Sequence, residues 1–125
     1  MNEENTRIRE WLEKYNAFYN ESIPKLHLLY KEYGPKSRRR RETTRWYHFR
    51  TQSIRKEIAR LLGDLLDLAV AFAKDNGLDL SERQKWTRLA AYLGQTINTT
   101  LNSHDTVAIE KTLDKLNRYV EKHVG

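Results

Sequence analysis

Apolar residues recur three or four positions apart along nearly the whole chain, and nowhere do they alternate with polar residues over the length of a strand. Spacings of three and four collect side chains into one stripe of a helix, whereas a strand needs a period of two, so the pattern confines the chain to an all-α fold. Ile8, Trp11, Leu12, Tyr15, Phe18 and Tyr19 form the first stripe behind a cap at Asn5 or Thr6, which predicts a helix over about 6–21. Ser22 and Pro24 then mark a restart, because Ser supplies a cap and Pro is tolerated in a first helical turn. Leu26, Leu29, Tyr30 and Tyr33 carry a short second helix, ended by Gly34 and Pro35.

A long third helix is expected from a cap at Thr43 or Thr44, with Ile54, Ile58, Leu61, Leu65, Leu68 or Ala69, and Phe72 along one side and a stop at Asn76-Gly77. Ser81 with Gln84 three residues later is a capping-box pattern. It opens a fourth helix on Trp86, Leu89, Ala90, Leu93, Ile97 and Leu101. After a break at Asn102-Ser103-His104, Asp105 caps a fifth helix bearing Ile109, Leu113, Leu116, Val120 and Val124. Short connections favour antiparallel neighbours, so the expected architecture is a compact helical bundle of about five helices with a three-helix core over residues 44–124. The N-terminal helical pair, residues 1–33, either completes that bundle or packs on a partner chain. The 125 residues amount to one domain. Gly63 and Gly94 lie inside predicted helices and suggest close helix approach there.

Net charge becomes informative when it is divided along the chain. Residues 1–33 carry a net −1, residues 34–60 a net +8, and residues 61–125 a net −1. The positive field is thus confined to about a fifth of the length. Within it, residues 34–43 have no apolar periodicity and contain four consecutive arginines that repel one another, as an exposed basic linker would. On a helix starting at Thr44, about 100° per residue puts Arg45, Gln52, Lys56 and Arg60 opposite the apolar stripe, with Trp46, Phe49 and Ser53 beside them.

Cations along one helix face can follow a phosphate backbone, and neighbouring rings can stack on bases for about 1–3 kcal/mol each. The expected function is therefore non-enzymatic nucleic-acid binding, to DNA or RNA, through Arg38, Arg39, Arg40, Arg41, Arg45, Arg50, Arg55, Lys56 and Arg60. Trp46 and Phe49 either stack on bases or pack against the first helix. If six to eight of these cations each met a phosphate of duplex DNA, the log-log salt slope of binding would be about −5 to −7. Gln95, Asn98, Thr99 and Asn102, near Arg88 on the polar side of the fourth helix, form a second surface able to hydrogen-bond phosphates or bases. The alternative is an assembly subunit, or a homo-oligomer, that docks on another chain through the aromatic face of the first helix or the basic arm.

Other chemistry finds little support. His27, His48, His104 and His123 are scattered, with no metal-ligand spacing, so neither metal nor cofactor is expected. The absence of cysteine excludes disulfides and fits a reducing compartment. The charged first ten residues contain no secretory signal, and the most apolar run, Leu61 to Ala73, is broken by Gly63, Asp64 and Asp67. A cytoplasmic location without membrane contact is expected. No zinc finger, helix-turn-helix or basic zipper is present. In size, charge and helicity alone the chain is similar to the small helical subunits of CRISPR effector complexes and to DNA-coating proteins of some archaeal viruses.

Overall fold

The computed structural model describes residues 3–33, 44–103 and 106–124, with side chains for 6–28, 52–103 and 107–124. Among these residues there are four helices and no strand: α1 (Glu3–Tyr33), α2 (Thr44–Ala73), α3 (Leu80–Asn102) and α4 (Thr106–His123). Each helix runs antiparallel to the two beside it. Arg7 of α1 reaches Asp75 just beyond α2, while Lys25 reaches Glu57. Tyr15, Tyr19 and His27 meet Asn117, Asp114 and Glu110 of α4 in descending order. Taken with the α2–α3 and α3–α4 contacts, this makes a four-helix bundle in which α1 faces α3, and α2 faces α4, across the core.

The N-terminal pair of helices expected from Ser22 and Pro24 is instead one unbroken helix. An interior proline costs about 3 kcal/mol or more by removing an N–H and crowding the preceding turn. Here Pro24 is exposed, so water can serve the carbonyl of Asn20 that loses its donor, while Phe18, Ser22 and Leu26 are buried on either side. Packing on both sides holds the helix continuous.

All four helices supply the core. Trp11, Tyr15, Phe18 and Leu26 come from α1 and meet Ile58, Leu62, Leu65, Ala69 and Phe72 of α2. Trp86, Leu89 and Leu93 of α3 and Ile109, Leu113, Leu116 and Val120 of α4 complete it. The residues of α1 and α4 are those the spacing predicts. On α3 the buried stripe runs through Thr96 and Thr100, while the expected Ile97 packs partly buried against the core and the expected Leu101 is 48% exposed. Threonine is acceptable there because each hydroxyl donates to a carbonyl of its own helix, Thr96 to Tyr92 at 2.8 Å and Thr100 to Thr96 at 2.7 Å. No polar group then needs a partner from the core.

The start of α3 also differs from the expected Ser81 cap. Asp79 is the N-cap, its carboxylate accepting from the Glu82 N–H at 2.9 Å, and the preceding Leu78 is buried. An arginine crosses to the C-terminal end of the neighbouring helix at each end of the α2–α3 pair. Arg83 donates to the Ala73 carbonyl of α2, and Arg55 to the Ser103 carbonyl at the end of α3. A cation at a helix C-terminus meets the negative end of the helix dipole.

Gly63 and Gly94 do not mark close helix approach. A Cβ built on either would meet nothing within 4 Å. Helical glycine costs roughly 1 kcal/mol against alanine, so Gly63→Ala and Gly94→Ala should each raise stability by about 0.5–1 kcal/mol. Thermal melting followed by circular dichroism checks this; a lowered midpoint would show a clash that the geometry does not contain. Among the described residues, no helix is long and apolar enough to cross a membrane.

Candidate nucleic-acid interface

The helix ends that flank the basic segment lie at one end of the bundle. The 34–43 stretch joins the end of α1 to the start of α2, and that end also holds the end of α3, where Arg55 meets Ser103. Because α2 begins at Thr44 and α3 stops level with Arg55, about ten residues of α2, or roughly 15 Å at 1.5 Å per residue, run on past the end of α3. Arg45, Trp46, Phe49 and Arg50 belong to that extension by their backbone, and their side chains lie outside the described residues. Arg38, Arg39, Arg40 and Arg41 lie outside the described residues altogether.

Three of the predicted cations have described side chains, and they divide. Lys56 and Arg60 are exposed, one turn apart on the outer side of α2 with Gln52 and Ser53. Arg60 lies 3.9 Å from Asp64 in a pair exposed on both sides, which is worth little and leaves the guanidinium accessible. Glu57, one of only two carboxylates in residues 34–60, pairs with Lys25 of α1 at 3.4 Å. Arg55 does not join the exposed cations: it is buried, and its guanidinium serves the Ser103 carbonyl. The residue adjacent to Ile54 in sequence points between α2 and α3, where an arginine stem can pack while its head reaches a helix end. No known protein family matches the chain, nor does any curated protein or solved structure.

The aromatic face of α1 is core. Trp11 stacks on Tyr15 with ring centroids 5.5 Å apart and meets the edge of Trp86 at 5.2 Å. Its indole donates to the Leu65 carbonyl at 3.1 Å. Tyr15 is buried and donates to Asn117 at 3.0 Å; burial, reinforced by Tyr19 and nearby carboxylates, pushes its hydroxyl far above the usual phenol range. Tyr19 donates to Asp114 at 2.8 Å, and burial together with that bond pushes its hydroxyl up to about 12. These hydroxyls stay neutral donors that fasten α1 to α4.

A groove between α1 and α2, about 600 Å³ in volume, is lined by Arg7, Trp11, Leu68 and Phe72 among others. Arg7 lies over the Phe72 ring, 4.9 Å from its centroid, and bridges to Asp75 at 3.3 Å. Arg7 thus ties the start of α1 to the end of α2 by a cation–π contact and an exposed ion pair. Among the described residues no group of three or more His, Asp or Glu side chains could hold a metal ion.

The linear charge division passes over one more surface. On α4 the carboxylates Glu110, Asp114 and Glu121 share one side with Asn117, and that side faces α1. Lys111, Lys115, Arg118 and Lys122 follow with the same spacing one residue later and are all exposed. Between this basic stripe and α3 stand Tyr119 and His123, with centroids 4.4 Å apart, and Tyr119 continues onto Tyr92 of α3 at 4.6 Å. Burial raises the Tyr119 hydroxyl, and Tyr92 adds to this while the nearby Arg88 opposes it. A helical projection of residues 110–122 contains this separation of charge, which a count by segment cancels.

Proposed function

We propose that the protein binds nucleic acid without catalysing a reaction, through the arginine arm, Arg38 to Arg41, and the basic side of the helix that follows it. One observation carries the reading: residues 34–60 hold a net +8 in a chain whose remainder is net negative. A run of like charge carries self-repulsion and contributes no apolar burial, so an anionic partner is its simplest use. The exposure of Lys56 and Arg60 on α2 supports it, since both point into solvent on one side of the helix that the arm leads into. Phosphates meeting the arm first would find the α2 cations next in line. Trp46 and Phe49, on the same stretch of α2, would add base stacking where bases are unpaired.

The test is binding to labelled duplex and single-stranded DNA and RNA across a salt series, with wild type compared to a variant carrying Arg38→Ala, Arg39→Ala, Arg40→Ala and Arg41→Ala. On duplex DNA the variant should lose about 3 to 4 from the magnitude of the log-log salt slope, close to one unit for each phosphate contact removed. Absence of binding at low salt sinks the reading. The alternative is an assembly subunit that docks on another chain through the aromatic face of the first helix or the basic arm; the burial of Trp11, Tyr15 and Phe18 favours the arm as its contact.

A further inference from the structure

We propose that the α3–α4 face is a second, separate binding surface, one that takes single-stranded nucleic acid by stacking bases on Tyr92 and holding phosphates with the α4 cations. It rests on the nucleic-acid reading above for its ligand class, but on different residues. Two independent observations meet on this face. The first is the separation of charge on α4. Its carboxylates are turned toward α1, where Tyr19 and His27 engage Asp114 and Glu110 at 2.8 Å each, so the outward stripe of Lys111, Lys115, Arg118 and Lys122 is free of them. From Lys111 to Lys122 that stripe is about 16 Å long at 1.5 Å per residue.

The second observation is the ring ladder beside the stripe. Tyr92, Tyr119 and His123 follow one another at 4.6 and 4.4 Å, and Tyr92 is 41% exposed. An aromatic ring used only to close the seam between two helices would be covered by them, as Trp86 is. Tyr92 rests against Tyr119 yet keeps much of its surface in solvent, which suits a ring onto which a base can stack. Arg88, one turn before Tyr92 and exposed, adds a cation on the same side, and Gln95 and Asn98 beyond it supply hydrogen-bonding groups. Rings that stack need unpaired bases, so the chemistry favours a single strand over a duplex. Since α2 and α4 lie diagonally across the bundle, this face points away from Lys56 and Arg60. One molecule would thereby hold two segments of nucleic acid on opposite sides.

The experiment uses the full chain and a labelled oligo-thymidylate, an abasic oligomer of the same length, and a duplex. Tyr92→Ala should weaken oligo-thymidylate binding about 5- to 100-fold and leave abasic and duplex binding as in wild type. The second variant changes Lys111, Lys115, Arg118 and Lys122 to Gln. It should lower the magnitude of the single-strand salt slope by about 3 and weaken the thymidylate and abasic oligomers alike. All four positions are exposed, so unaltered helicity and melting are the control on folding. Wild-type affinity of both variants for oligo-thymidylate overturns the proposal, as does an equal effect of Tyr92→Ala on the thymidylate and abasic oligomers. If the arm variant loses duplex binding while these two lose nothing, the arm reading stands and this one falls. The opposite pattern retains the α3–α4 face and rejects the arm.

Discussion

Trp86→Ala should destabilise the bundle by about 3–5 kcal/mol, the usual cost of truncating a large buried aromatic side chain. Because whole domains are stable by only about 5–15 kcal/mol, the variant should be largely unfolded under mild denaturant or heat. Trp86 is fully buried and stands where three helices meet: Trp11 of α1 presses against it at 5.2 Å and Phe72 of α2 at 4.6 Å. Removal would leave a hole lined by two other aromatic rings that cannot close on it without moving their own helices. The comparison with phenylalanine sharpens the prediction. The indole nitrogen of Trp86 is buried with no hydrogen-bond partner, whereas that of Trp11 donates to the Leu65 carbonyl. Trp86→Phe therefore gives up volume but no bond, and should cost less than Trp11→Phe, which gives up both. Urea unfolding followed by circular dichroism measures all three. A cost for Trp86→Ala below about 1 kcal/mol would mean that the site collapses easily and that the three helices are not held together there.

Arg55→Ala should cost about 1.5–3 kcal/mol, the range for a hydrogen bond to a charged group, and should leave nucleic-acid affinity unchanged. Arg55 donates from α2 to the Ser103 carbonyl, one of the acceptors left without a helical donor at the end of α3. Truncation leaves that carbonyl with one partner fewer and removes the packed stem of the side chain. Arg55→Lys keeps the charge at the helix end but loses the planar fork, so it should fall between wild type and alanine. The pair of readouts separates this residue from its exposed neighbours. Lys56→Ala should do the reverse, lowering nucleic-acid affinity and the salt slope with little change in stability. If Arg55→Lys weakened binding as much as Lys56→Ala while melting at the wild-type temperature, the buried placement of Arg55 would have to be abandoned.

Arg55 and Lys56 are adjacent cations in one basic run, and nothing in composition separates them. Angle around the helix does: Arg55 turns toward α3 and Lys56 toward solvent. The α4 stripe is the same lesson on a larger scale. Residues 61–125 sum to a net −1, which conceals a basic face on α4 beside carboxylates of which Glu110 and Asp114 are taken up by α1. Thr96 and Thr100 were illegible for another reason. A search for apolar residues passes over threonine, although its hydroxyl can be satisfied inside its own helix and its methyl can pack.

What the sequence by itself determined is what depends on neighbours a few residues apart. The period of three and four made every described element outside the turns a helix, Gly34 and Asn76-Gly77 follow the ends of α1 and α2, and the concentration of positive charge between residues 34 and 60 was plain. The tertiary structure decided which flank of each helix is covered, because periodicity sets a side chain's angle about its own axis and is silent on what stands at that angle. Only the packing of α1 along α2 and α4 made Trp11, Tyr15 and Phe18 core residues and carried the chain unbroken past Pro24. The same packing engaged Glu110 and Asp114 of α4 with α1 and left the cations of α4 facing water.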